Sequence, residues 1–176
     1  KELDGSGDSI GWIRCTSNWN AVCQAGTVIA ALNIVESKER RAFFLAAADY
    51  FSEHFFFDTF TDDGYFSEGM DYWNYGFGYY IQLAAAARMA TGGKLDMFRF
   101  PKVKAVLDYA PNMAIDKDIY AVFADATLES RPENVFVGYL SRLMGYGYTE
   151  FEEKALGRNI SMYSPIEVAS IGADGD

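Results

Sequence analysis

The sequence predicts an all-α fold, laid out as an array or toroid of helical hairpins. Two observations point to the helices. Apolar and small residues recur at helical spacing along most of the chain, and the links between those stretches are marked by Ser, Pro and Gly. A third observation excludes the main competitor. No alternation of strands with helices supports a doubly wound sheet.

Lys1 to Ile10 is rich in Gly, Ser and Asp and reads as a loop. From Asn18 onward Val22, Ala25, Gly26, Ile29, Ala30 and Leu32 predict a helix over 18–35, with small side chains that permit close helix approach. Ser37 is placed to cap a second helix over 38–57, through Phe43, Phe44, Ala47, Tyr50, Phe51 and His54. The short link between the two predicts an antiparallel hairpin. Asp58 to Ser67 reads as a loop turning at Asp62-Asp63-Gly64. A third helix over 69–91 carries Tyr72, Tyr75, Tyr79, Leu83, Ala86 and Ala87, and Thr91-Gly92-Gly93 stops it. Pro101 opens a fourth over 101–114, with Pro111 near its end. Ile119 to Phe123 suits a short strand or an extended connection. A fifth helix is expected over 132–146 and a sixth over 149–157, with an irregular tail after Asn159. The whole of 1–176 is expected to form one helical domain.

Composition narrows the function classes. Half of the 176 residues are hydrophobic, enough for a core and too many for a disordered chain. Lys plus Arg number 15 and Asp plus Glu 25, a net charge of −10, so no basic surface is available to replace phosphate counterions and nucleic acid is not an expected partner. No apolar run approaches the ~20 residues of a membrane span. Cys15 and Cys23 are too few for a disulfide framework or a zinc set, and read as free, buried small hydrophobes. His54 is the sole histidine, which leaves a His-based metal site without ligands; it reads as a packing residue. No metal or other cofactor is expected. Asp62-Asp63-Gly64 lacks the ligand spacing of a calcium loop and reads as a turn.

Two polar segments stand out at predicted helix starts. One is Ser17-Asn18-Trp19-Asn20-Ala21-Val22-Cys23. The other is Asp63-Gly64-Tyr65-Phe66-Ser67-Glu68-Gly69-Met70-Asp71-Tyr72-Trp73-Asn74-Tyr75-Gly76. In an antiparallel array alternate helices start at the same end, so Tyr72 and at least one of Asn18 and Asn20 are expected on one rim, with polar atoms within about 10 Å. The bland roles for the same residues are caps, first-turn polar groups and core. Trp19, Trp73 and Tyr65 suit either stacking on a ligand or filling the core.

Asn18-Trp19-Asn20-x-Val22-Cys23-x-x-Gly26, followed by Asp63-Gly64-Tyr65-Phe66-x-Glu68-Gly69-x-x-Tyr72-Trp73-x-Tyr75-Gly76, resembles the heparinase II/III-like polysaccharide lyases and their uronyl epimerase relatives. Val122-Phe123-Ala124-Asp125 adds to the likeness, which spans most of residues 10–150. The resemblance implies a partial catalytic domain, part of an incomplete (α/α) toroid, from a longer secreted or periplasmic chain, with a β-sandwich domain following the toroid. It implies β-elimination on an acidic, uronic-acid-containing polysaccharide or oligosaccharide. That chemistry needs a donor to the uronate carboxylate, a base for the α-proton and an acid for the departing oxygen. Tyr72 matches the family tyrosine as base or acid, with Tyr75 three residues on as the fallback. Asn18 and Asn20 match the carboxylate-binding segment, the choice between them staying open. Many members carry Asn-His where this chain has Asn18-Trp19, which implies either that Trp19 serves as a stacking platform or that activity is impaired. Trp73, Tyr75, Glu68 and Arg14 complete the substrate-binding set, Arg14 being the evident basic residue near the motifs. Two other classes fit the same residues. A glycoside hydrolase would pair Glu68 or Asp71 with Asp125, and a non-catalytic glycan-binding module would use the rings alone.

Overall fold

A computed structural model of the chain describes residues 11–156, so the expectations for the N-terminal loop and for the tail after Asn159 lie outside the described residues. The rest is mostly helical. After a single 3-10 turn, Gly11–Arg14, come α1 (Asn18–Ile34), α2 (Lys38–Thr59), α3 (Met70–Ala90), α4 (Lys102–Asn112), α5 (Asn134–Met144) and α6 (Thr149–Leu156). One small antiparallel hairpin, β1 (Ala114–Asp116) with β2 (Ile119–Tyr120), interrupts them. The all-α reading therefore holds at the level of class, and the ambiguous stretch after α4 resolves into a strand of two residues and an extended connection.

Local chemistry explains most boundaries. The Ser37 hydroxyl accepts from the Arg40 N–H at 3.2 Å, capping α2 as its position predicts. Thr91 ends α3 by donating its hydroxyl to the Ala87 carbonyl at 2.8 Å, while the Gly93 N–H reaches the Arg88 carbonyl. The Thr61–Gly64 turn closes with a Gly64 N–H to Thr61 carbonyl bond of 2.9 Å, Gly64 lying at φ 85°. Pro111 sits inside α4, one residue from its end, where the missing N–H costs little. Pro132 precedes α5 by two residues instead of opening it.

The core lies between α1, α2 and α3 and continues under α4 and α5. Aromatic rings dominate it: Phe51, Phe55, Phe56, Phe60, Phe66, Trp73, Phe77, Tyr80 and Phe98 are all essentially inaccessible. Phe56 and Tyr80 stack at 4.8 Å, and the Tyr80 hydroxyl donates to the Met97 carbonyl at 2.8 Å. The helices α1 and α3 run parallel. Their first turns meet at Asn18 and Tyr72–Gly76, and their C-terminal halves line one apolar hollow through Ile29, Leu32, Ala85, Ala86 and Met89. This is the arrangement expected when α2 returns the chain, and it brings both motif-bearing helix starts to the same end of the molecule.

Candidate active site

Asn18 opens α1 and is buried, 6% exposed. Its Nδ2 donates to the Tyr72 backbone carbonyl at 3.2 Å and, more weakly, to Glu68 Oε2 at 3.5 Å. Its Oδ1 is buried without a hydrogen-bond partner among the described residues and lies against Gly76. A Cβ at residue 76 would overlap that oxygen, so Gly76 is what lets Asn18 dock on α3. The two motifs are thus physically complementary: the amide of one sits on the backbone of the other.

The second motif is shaped from the opposite side by residues 121–133. Gly69, at φ 90°, forms the N-cap of α3, and a Cβ there would run into the Phe123 carbonyl. The Asp125 N–H donates to the Glu68 carbonyl at 3.4 Å. Asp71 accepts from the Ser130 hydroxyl at 2.6 Å. The Asn74 side chain works as a two-sided bracket, accepting from the Glu133 N–H at 2.8 Å and donating to the Arg131 carbonyl at 2.6 Å. Asp71, weighed from the sequence only as a hydrolase carboxylate, and Asn74, which sequence reasoning passed over, are positioning residues. Their signal was their place in the first and second turns of a helix that follows Gly69, where a polar side chain faces either solvent or a loop.

The sequence-predicted site residues separate cleanly. Tyr72 (41% exposed) and Tyr75 (45%) present their rings to solvent on the first turns of α3, Tyr75 edge-on to Tyr79. Trp19 is exposed at 67%, beside Asn18 on α1. Glu68 is exposed, and Arg14 is exposed with its guanidinium 4.9 Å from the Phe51 ring centre. The contact between Asn18 and Tyr72 is made by the Tyr72 backbone carbonyl and not by its hydroxyl.

Trp73 is a correction to the substrate-binding set. It is fully buried, stacks on Tyr109 at 5.7 Å and donates Nε1–H to the Val106 carbonyl at 3.0 Å, so it joins α3 to α4 and offers no face to a sugar. Asn20 is likewise interior. Its Nδ2 donates to the Ile13 and Phe51 carbonyls at 2.9 and 3.0 Å, and its Oδ1 accepts from Gln24 at 2.5 Å. It ties the N-terminal turn and α2 to α1. Cys15 and Cys23 are free, as expected, but half-buried, with the Cys23 thiol held above its usual range first by burial and then by Cys15. His54 is half-buried and stacked on Phe51, with Nδ1 3.8 Å from Asp58. Tyr65 leaves 40% of its surface open while stacking on Phe123 at 5.9 Å.

Among the described residues no three His, Cys, Asp or Glu side chains gather as a metal would require. No described helix is long and apolar enough to cross a membrane. Chemically the rim offers hydrogen bonding, proton transfer through exposed phenols and a carboxylate, and stacking. No protein-family model matches the chain, and no curated protein is similar enough to it to count as a relative.

Proposed function

We propose that the chain is the helical part of a polysaccharide lyase catalytic domain, an incomplete (α/α) toroid that cleaves uronic-acid-containing glycans by β-elimination. One observation carries the reading: Asn18 of the first motif is hydrogen-bonded to the backbone of Tyr72 in the second, at the common end of α1 and α3. Trp19, Tyr72 and Tyr75 offer open rings at that end. Of the two asparagines, Asn18 is the carboxylate donor, since Asn20 is fully engaged in the interior.

In this mechanism an amide N–H of Asn18 bonds the uronate carboxylate and stabilises the enediolate that forms when the α-proton leaves. Tyr72 takes that proton or returns one to the departing glycosidic oxygen. The bond to the leaving sugar breaks as a carbon–carbon double bond forms beside the carboxylate. A phenol acting as base needs its phenolate stabilised, because the unperturbed pKa is about 10. The same reading places the protein outside the cytoplasm and attaches a β-sandwich domain to the longer chain.

The test is ultraviolet absorbance. The longest natural chain carrying these residues, incubated with heparan, chondroitin, alginate or a related uronan, should generate a conjugated product that absorbs. Tyr72→Phe removes one exposed hydroxyl and little packing, so stability should change by less than about 0.5 kcal/mol, while turnover should fall by at least about a hundredfold. No absorbance with any uronan sinks the reading. New reducing ends without absorbance would instead favour a hydrolase, with Glu68 and Asp125, whose backbones are hydrogen-bonded, as the candidate carboxylate pair. Binding without turnover, unchanged in Tyr72→Phe, would mark a glycan-binding module.

A further inference from the structure

We infer that Glu68 is an internal stand-in for the substrate carboxylate, a gate that an incoming uronate must displace. The inference rests on the reading of Asn18 as carboxylate donor. An amide has two N–H groups. One points to the Tyr72 carbonyl at 3.2 Å and the other to Glu68 Oε2 at 3.5 Å. The Tyr72 contact is backbone to a helix and does not leave. The Glu68 contact is long, belongs to an exposed side chain just before the N-cap of α3, and is the one that can open.

The amide cannot turn over to serve a ligand in another way. A flipped Asn18 would set its oxygen against the Tyr72 carbonyl and the Glu68 carboxylate, both acceptors. Its present Oδ1 is buried against Gly76, beyond a ligand's reach. A substrate carboxylate can therefore reach the Asn18 donor only where Glu68 now sits. Two carboxylates cannot share that position, since they compete for one N–H and repel each other.

A consequence follows for specificity. A tethered carboxylate competes at a high effective concentration, so small free acids are poor ligands. A chain that also holds the rim through several sugars overcomes the competition. Glu68 selects polymers over their monosaccharides without a contact to any neutral hydroxyl.

The experiment titrates the isotope-labelled chain with D-glucuronate and, as the neutral control, D-glucose. It reads the side-chain amide signal of Asn18 by NMR in the wild type, Glu68→Ala and Glu68→Gln. Glu68→Ala vacates the position and should tighten glucuronate about tenfold, with no gain for glucose. Glu68→Gln removes the charge but keeps an acceptor oxygen over Asn18, so its gain should stay within about threefold. Equal gains in the two variants would show charge repulsion alone and overturn the gate. So would an Asn18 signal that responds to glucuronate in the wild type with no tightening in Glu68→Ala. If the Asn18 signal responds to glucuronate in none of the three proteins, the carboxylate-donor reading itself fails.

Discussion

Two tyrosines in the core show how one residue type is used in opposite ways. Tyr80 is fully buried and satisfied by the Met97 carbonyl, and burial drives its phenol far above the ordinary range. Tyr109 is 2% exposed and its hydroxyl has no partner among the described residues. Burial, with the neighbouring Tyr65, pushes its phenol up to about 12. The folded state therefore holds the Tyr109 proton where the unfolded chain, near 10, has begun to release it. That contribution to stability is complete below pH ~10 and is lost as pH rises toward about 12. Tyr109→Phe removes an unsatisfied buried group and one titrating site together. Thermal melts should show the variant equal to or up to about 1 kcal/mol more stable than wild type at pH 7, with a shallower loss of stability between pH ~10 and ~12. A destabilised variant would mean that the hydroxyl has a partner.

At the scale of elements, α3 is the axis of the molecule. Its buried face carries the core rings, its first turns carry the candidate site, and its polar flank holds residues 121–133. That segment has little regular structure of its own, and Ala124 sits at φ 48°, an uncommon conformation for a residue with a Cβ. Its order depends on the brackets from Asp71 and Asn74. Asn74→Ala leaves the Glu133 N–H and the Arg131 carbonyl without their partner, at a cost of about 1–2 kcal/mol. Hydrogen exchange should quicken in the segment and at the start of α5 while α1 and α2 keep their protection. Uniformly faster exchange would mean that the bracket stabilises the whole fold and not this one element.

For the whole molecule, the net charge of −10 has a consequence for any acidic polymer it binds. Long-range repulsion opposes the encounter, and added salt screens it, with a Debye length of about 10 Å at 0.1 M. Affinity for a polyuronate should therefore rise several-fold as salt increases from about 20 to about 200 mM, the reverse of a basic polyanion binder. Titration calorimetry at several ionic strengths measures the sign directly. A falling affinity would require a local basic patch strong enough to outweigh the total charge.

Helix existence, helix order and the common end of α1 and α3 were legible in the sequence because each rests on short-range rules: a 3.6-residue period, Ser37 as a cap, Gly at turns, and an α1–α2 link too short for anything but a return. The resemblance likewise named the two segments that meet. What those rules do not contain is which side of each helix meets which neighbour. Asn18 and Asn20 lie two residues apart and so face widely different directions; only the position of α3 puts Asn18 at the rim and Asn20 inside. Trp19 and Trp73 carry the same ring in matching motif contexts, yet one is exposed and the other is sealed under α4 by a bond to Val106. The contact of Glu68 with Asn18 spans 50 residues. Periodicity is a property of one helix, whereas burial and hydrogen-bond partners belong to pairs of elements distant in sequence, and those the tertiary packing alone decided.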